Sequence, residues 1–351
     1  MSKKIPVGVL GATGAVGQKF VKLLENHPWF EITEVAASDR SAGKKYREAA
    51  NWRQYSTIPG PITDKMVKPC EPHLDCQVVF SGLDSSVAGE VEENFARAGY
   101  IVLSNSKNHR TDDDVPLLVP EVNHDHLELI GVQRKLRGWS GAIVTNPNCS
   151  VAGLVMPLAP LDRSFGLSRL VVTTLQALSG AGYPGPSAID VLGNVLPYIG
   201  GGEEEKVQTE PLKILGKLQG ESIKPAGFKI SAHTNRVDVE DGHMACVSIE
   251  FEKKPSPEEA AKVIAGFTSL PQELRLPTAP ERPIIVTEEP DRPQPRFDRD
   301  AGAGMSAVVG RLRPCPVFDL RFVVLSHNTV RGAAGAAILN AELMKATGYL
   351  D

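Results

Sequence analysis

The chain has 351 residues, more than one ordinary hydrophobic core organises, so two domains are expected. It is 42% hydrophobic and 23% charged, as globular proteins are, and a formal net charge of -4 with no basic run argues against nucleic acid or an acidic membrane surface as partner. No apolar window is long enough to span a bilayer, the first strand begins where a secretory leader would lie, and five scattered cysteines (70, 76, 149, 246 and 315) fit a reducing cytoplasm, not a disulfide framework.

In chain order, residues 5–10 read as a strand that runs into Gly11-Ala12-Thr13-Gly14-Ala15-Val16-Gly17, followed by helical apolar spacing at Val16, Phe20, Leu23 and Leu24. A glycine-rich turn of this kind lets backbone amides approach a diphosphate at the helix start, and it also serves plain strand–helix packing. The glycines at 8, 11, 14 and 17 depart from the G-x-G-x-x-G spacing, but their place on the first strand and helix favours a dinucleotide. A second strand, 32–37, ends at Ser38-Asp39-Arg40-Ser41-Ala42-Gly43-Lys44. NAD enzymes usually place an acid here for the ribose 2′-hydroxyl, whereas a 2′-phosphate needs donors and cations. Ser38, Arg40, Ser41 and Lys44 therefore point to NADP, with Asp39 the discordant residue.

Residues 51–72 have several prolines and no period, and are expected to be loop with short elements. The Cys70, His73 and Cys76 group matches no common zinc spacing, so no metal is expected. Strands at 78–81 and 101–103 flank a helix at 87–98, the alternation of a parallel α/β sheet. Ser81-Gly82-Leu83-Asp84 and Ser104-Asn105-Ser106 follow the strand ends, where such sheets hold ligands. Arg110 lies on an exposed-looking polar loop, as a phosphate ligand or as a solvated charge.

Asn146-Pro147-Asn148-Cys149-Ser150 joins an apolar strand, 142–145, to a helix that begins with the small apolar residues 151–156. At a helix N-terminus the free amides and the dipole favour negative charge, so Cys149 is expected to ionise readily, to attack a carbonyl carbon and to leave the oxyanion to the same amides. An inert core cysteine is the competing reading. Pro157 and Pro160 predict that the helix kinks or ends early.

Beyond it, long strands at 170–178, 228–239 and 245–251 fit the antiparallel sheet of a second domain, and Ser256-Pro257-Glu258-Glu259 is a capped helix start. Residues 271–296 read as irregular, and 305–312 with 317–325 as a hairpin turning at 313–316. A final helix, 329–344, lined with Gly332, Ala333, Ala334, Gly335, Ala336 and Ala337, is expected to pack back on the first domain beside the cofactor. Of the eight histidines, His243 is best placed as proton partner for Cys149, because Asp241-Gly242-His243 opens a strand and Arg236 closes another. His233 and His327 compete on chemistry alone.

These segments together resemble the aspartate-β-semialdehyde dehydrogenases, in particular their fungal and archaeal branch. The resemblance rests on the 11–17 turn, Ser38 to Lys44, Ser104-Asn105 with Arg110, Val119-Pro120-Glu121-Val122-Asn123, Asn146 to Ser150, Gln176 to Gly182, Glu203 to Lys206, Arg236 to His243, and Asn328 to Gly335. It implies an N-terminal Rossmann-like dinucleotide-binding domain (1–148 with 328–351) and an α+β catalytic and dimerisation domain with a mainly antiparallel sheet (149–327). The implied reaction is the NADPH-dependent reduction of L-4-aspartyl phosphate to L-aspartate 4-semialdehyde by a cytoplasmic homodimer or homotetramer, towards threonine, methionine and lysine. By motif position the resemblance makes Cys149 the nucleophile, His243 its acid/base partner and Gln176 the orienting residue. Arg236 would take the α-carboxylate, Glu203 the α-ammonium, and Arg110, Lys206 and Asn148 the phosphate. Gly11, Thr13, Gly14, Ala15, Val16, Ser38, Arg40, Ser41, Ser81, Gly82, Asn105, Ser179, Gly180 and Asn328 would hold NADP, Asn328 from the last helix. Glu204 and Glu205 are alternative ammonium ligands in the Glu203 register. A malonyl-CoA reductase and a non-catalytic NADP-binding regulator are the rival functions.

Overall fold

The computed structural model describes residues 3–350, and among these the strands form two large sheets and one small hairpin. The first sheet contains β1 (Ile5–Leu10), β2 (Phe30–Ala37), β3 (Lys68–Pro69), β4 (Val78–Ser81), β5 (Ile101–Ser104) and β6 (Ala142–Thr145) in the order 3-2-1-4-5-6, all parallel. Strands β4, β5 and β6 are wholly buried, which is why they read as unbroken apolar runs and not as alternations. That strand order reverses between β1 and β4, the place where a doubly wound sheet opens a crevice at its C-terminal edge.

The second sheet contains β7 (Leu167–Gln176), β8 (Val195–Leu196), β11 (Lys229–Val237), β12 (His243–Phe251), β13 (Ile284–Val286), β14 (Ala307–Pro314) and β15 (Leu320–Ser326), while β9 (Lys217–Gln219) and β10 (Ser222–Lys224) make the hairpin. Its order is 13-14-15-12-7-11-8. The sheet is mainly antiparallel, but β7 pairs with β11, and β13 with β14, in parallel. The long chain between β7 and β11 allows the crossover that a parallel pair needs and a tight turn forbids.

The helix that joins the sheets, Cys149–Phe165, does not end early: it continues through both Pro157 and Pro160. Residues 150–161 are buried, mostly in the second core, so packing around them offsets the two missing amide bonds. The hairpin turn falls later than expected, at 315–319, because β14 extends to Pro314 after a bulge between Gly310 and Arg313. Residues 271–296 are mostly irregular, with β13 and short helical turns inside them.

The last helix, Gly335–Ala346, is preceded by a π-helical turn, Val330–Ala334; the helix packs on β5 and the short helix Pro120–Asn123, and the turn on the first helix (Ala15–Leu23), so the chain packs back on the first sheet as its small residues suggest. Arg331 in that turn is fully buried and donates to both carboxylate oxygens of the equally buried Glu121, at 2.8 and 2.7 Å. Among the described residues no helix is long and apolar enough to cross a membrane. Removing one partner of a buried pair strands the other charge, so Glu121→Ala should cost about 3–5 kcal/mol in urea unfolding. A loss under about 1 kcal/mol would mean that water reaches Arg331.

Candidate active site

β6 ends at Thr145, and the chain turns through Asn146-Pro147-Asn148 into the helix that Cys149 opens. Asn148 caps that helix, its Oδ1 accepting the Ser150 amide at 2.9 Å. Asn146 is anchored below: its amide nitrogen donates to Asn105 Oδ1 and to the Ala333 carbonyl, and its oxygen accepts from Asn340. Gly332 presses on the same turn, since a Cβ there would stand 2.8 Å from the Cβ of Cys149. The nucleophile candidate is thus fixed by both sheets and by the last helix, and it is half-buried.

Three candidates from the second sheet converge on one edge. Gln176 and Arg236 are register partners at the ends of the parallel strands β7 and β11, and His243 begins the antiparallel β12, which starts at that edge. His243 and Ser150 line one small internal cavity, and a Cβ on Gly180 would lie 2.9 Å from the ring and 3.1 Å from Arg236 Nη1. Glu203, at the start of the helix Glu203–Ile214, faces the cluster: it accepts from Asn148 Nδ2 at 2.8 Å, Gln176 Nε2 at 3.0 Å and Lys206 Nζ at 2.9 Å. Glu204 turns instead to the Thr234 amide, so Glu203 is the carboxylate of the three that enters this network. His233 is exposed and, three positions before Arg236, points to the opposite face of β11. His327 is buried next to the helix turn, with its Nδ1 near Thr329 Oγ1.

The electrostatics correct one expectation. Burial, and then Glu203, push the Cys149 thiol up to about 12, and the opposing pull of Arg110 and Arg236 does not restore a thiolate. The helix start supplies partial charges, but desolvation of a sulfur anion outweighs them here. Burial and Arg236 drive His243 down to about 3. The resting pair is therefore neutral thiol and neutral imidazole. Ala177 N–H donates to His243 Nδ1 at 3.0 Å, so the ring proton resides on Nε2, a buried atom that has no partner among the described residues. Glu203 stays ionised: burial raises it, but Lys206 and the bonds from Gln176 and Asn148 outweigh that and hold it below its usual range. Arg236, lowered chiefly by burial, donates from Nη1 to the Ala177 carbonyl at 2.7 Å.

Arg110 is not on an exposed loop. It is buried, with Nη1 on Glu210 Oε1 at 3.0 Å and Nη2 on the Asn105 carbonyl at 2.8 Å, because Lys213 draws the loop inward by donating to the carbonyls of Arg110, Asp112 and Val115. Lys206 lies one helical turn from Glu203 and shares its charge.

The dinucleotide candidates divide into packing and open positions. Gly11 has a φ of +70°, and a Cβ on it would come within 2.8 Å of the Gly82 carbonyl, while one on Gly17 would strike the Gly11 carbonyl, so these glycines seat the first helix against the sheet. Gly14 and Ala15 are exposed, with Thr13 and Val16 half-buried beside them. Ser38 and Arg40 are exposed and Ser41 half-buried, and neither Arg40 nor Lys44 makes an ion pair among the described residues. Ser81 departs from expectation: its hydroxyl is buried and donates to Glu92, which leaves only backbone at that position. Asn105 donates to the Ser81 carbonyl. Asn328 precedes the last helix and does not belong to it; its amide bridges Ser179 Oγ and the Gly242 N–H, tying the Gly180 loop to the start of β12.

Glu210, Lys213 and Gln18 were not read from the sequence as members of this site, whereas Glu203 and Lys206 were. Glu203, Lys206, Glu210 and Lys213 recur at i, i+3, i+7 and i+10, one stripe of a helix, and that spacing was the available signal. Gln18, whose side chain bonds Thr13, Asn51 and Arg53, braces the glycine turn and carried no signal.

Residues 6–130 match the semialdehyde dehydrogenase NAD binding domain, and residues 158–331 match the semialdehyde dehydrogenase dimerisation domain. The chain belongs to the semialdehyde dehydrogenase family. It is 55% identical over 339 residues to aspartate-semialdehyde dehydrogenase of Archaeoglobus fulgidus, covering 96% of this chain and 97% of that one. It is 46% identical to the Saccharomyces cerevisiae enzyme over the full length of both. A crystal structure of aspartate semialdehyde dehydrogenase with NADP from Candida albicans superposes with a TM-score of 0.91 at 46% identity, covering 99% of each chain.

The raised thiol should make Cys149 slow to react with electrophiles. Its alkylation by iodoacetamide, followed by mass spectrometry of the Cys149 peptide, should rise about tenfold per pH unit from about pH 7 to 10. A plateau near the ordinary thiol range would overturn the burial argument.

Proposed function

We propose that the chain catalyses the NADPH-dependent reduction of L-4-aspartyl phosphate to L-aspartate 4-semialdehyde with release of phosphate, a step of amino-acid biosynthesis. The observation that carries this is the convergence of Cys149 with Gln176, Glu203, Arg236 and His243 where the two sheets meet, in a chain nearly half identical to such enzymes over its whole length.

Arg236 binds the substrate α-carboxylate and Glu203 offsets the α-ammonium, with Gln176 orienting the acyl group. Arg110, Lys206 and Asn148 hold the phosphate. Cys149 Sγ bonds to the acyl carbon, the bond from that carbon to the phosphate oxygen breaks, and the thiol proton leaves with the phosphate. His243, in the tautomer fixed by Ala177, donates from Nε2 to the acyl oxygen as negative charge develops there. When bound, NADPH supplies the hydride that reduces the thioester. Cys149 then departs as a thiolate and regains a proton from solvent.

The residues present suit NADP. The exposed Gly14 and Ala15 amides, with Thr13 and Val16, would take the diphosphate, and Ser38, Arg40 and Ser41 the 2′-phosphate. Gly82, Asn105, Ser179, Gly180 and Asn328 would line the nicotinamide end.

We also assign residues 1–148 with 328–351 to the NADP-binding domain and 149–327 to catalysis and dimerisation, in the cytoplasm. The second sheet leaves one face uncovered, where rows such as Thr173, Cys246 and Val323 meet solvent, and a second copy of the chain in a homodimer or homotetramer would cover it.

Phosphate-dependent reduction of NADP by L-aspartate semialdehyde tests the function. It should be abolished in Cys149→Ala and fall by roughly 10²-fold or more in His243→Ala; turnover of malonyl-CoA in its place, or of neither substrate, would sink the assignment. Arg40→Glu should raise the KM for NADP about tenfold or more while leaving kcat with NADP near wild type. An unchanged KM would remove Arg40 from the 2′-phosphate site.

A further inference from the structure

We infer that Glu210 is a positioning residue that couples the anion site to the nucleophile turn. The inference rests on the function proposed above, which gives Arg110 to the phosphate.

Glu210 is buried, about two turns from the substrate-facing end of its helix. Its two oxygens serve two different parts of the site. Oε1 accepts from Arg110 Nη1 at 3.0 Å, and Oε2 accepts the backbone N–H of Asn148 at 2.6 Å. Asn148 is the residue before the nucleophile, and its side chain is already committed to the Ser150 amide and to Glu203. Its peptide N–H is the remaining handle by which the turn can be held, and Glu210 holds it. The direction in which Cys149 leaves the turn is therefore set by three bonds, of which Glu210 makes one.

The second bond gives the carboxylate another consequence. A phosphate dianion and Glu210 compete for the same guanidinium. With phosphate absent, Glu210 neutralises Arg110 and keeps a buried cation from standing alone. As phosphate binds, part of Arg110 turns to the ligand, and as phosphate leaves, Glu210 reclaims it. Glu210 thus weakens the grip on phosphate and favours its release, while it keeps the nucleophile turn in register. A purely structural carboxylate would do only the latter.

Glutamine is the discriminating substitution, because its single oxygen can satisfy one of the two donors and its amide opposes the other. In folded Glu210→Gln, the phosphate concentration for half-saturation should fall about threefold or more, and kcat roughly tenfold. The Cys149 alkylation rate should rise, because Arg110 is left free to favour the thiolate. Structural damage alone predicts the opposite sign for phosphate, so an unchanged or raised half-saturation value overturns the proposal. If the glutamine variant does not fold, Glu210→Asp keeps the charge but shortens the arm; kcat should fall and the phosphate constant drop by a smaller factor, and wild-type values of both overturn it. Alkylation needs no substrate, so it reports on Glu210 even if the wild-type chain proves inactive with aspartate semialdehyde, an outcome that removes the underlying function instead.

Discussion

A buried carboxylate that stays ionised is the constraint around which this site is built. Glu203 is almost shut off from solvent, and a lone anion there would cost several kcal/mol. It is held by donors from three places: Asn148 before the nucleophile, Gln176 at the end of β7, and Lys206 one turn along its own helix. Satisfying that one charge brings the joint between the sheets, the second sheet and the charged helix to a common point. The same charge then raises the neighbouring thiol.

The resting state is consequently quiet. The Cys149 thiol and the His243 imidazole are both neutral at rest, and the groups that favour a thiolate, Arg110 and Arg236, are partly spent on Glu210 and on the Ala177 carbonyl. The charge felt at the sulfur thus depends on which partner each buried cation has, an effect that low local dielectric magnifies.

The last helix acts as the clamp. The Arg331 and Glu121 pair fixes its first turn in the interior, Gly332 allows its backbone to touch Cys149, and Asn340 completes the amide chain through Asn146 to Asn105. Residues nearly two hundred positions apart thus define the floor beneath one sulfur atom. At its end the chain returns to the first sheet and braces the Cys149 turn through Ala333 and Asn340.

Local patterns determined much by themselves: the strand and glycine turn at the start, the apolar runs of a buried parallel sheet, the capped helix at Pro257, the small-residue final helix, and the places of Cys149, Arg236 and His243 at element ends. These follow from periodicity and backbone sterics, which act over a few residues. Tertiary structure alone decided the helix passing through Pro157 and Pro160, the parallel pairing of β7 with β11, the burial of Arg110 and Ser81, and the protonation of Cys149 and His243. Each of these depends on what surrounds a residue from distant segments: packing that replaces missing bonds, a crossover that sets strand direction, and desolvation that outweighs a helix dipole. A sequence read along its length carries no record of those neighbours until the fold brings them together.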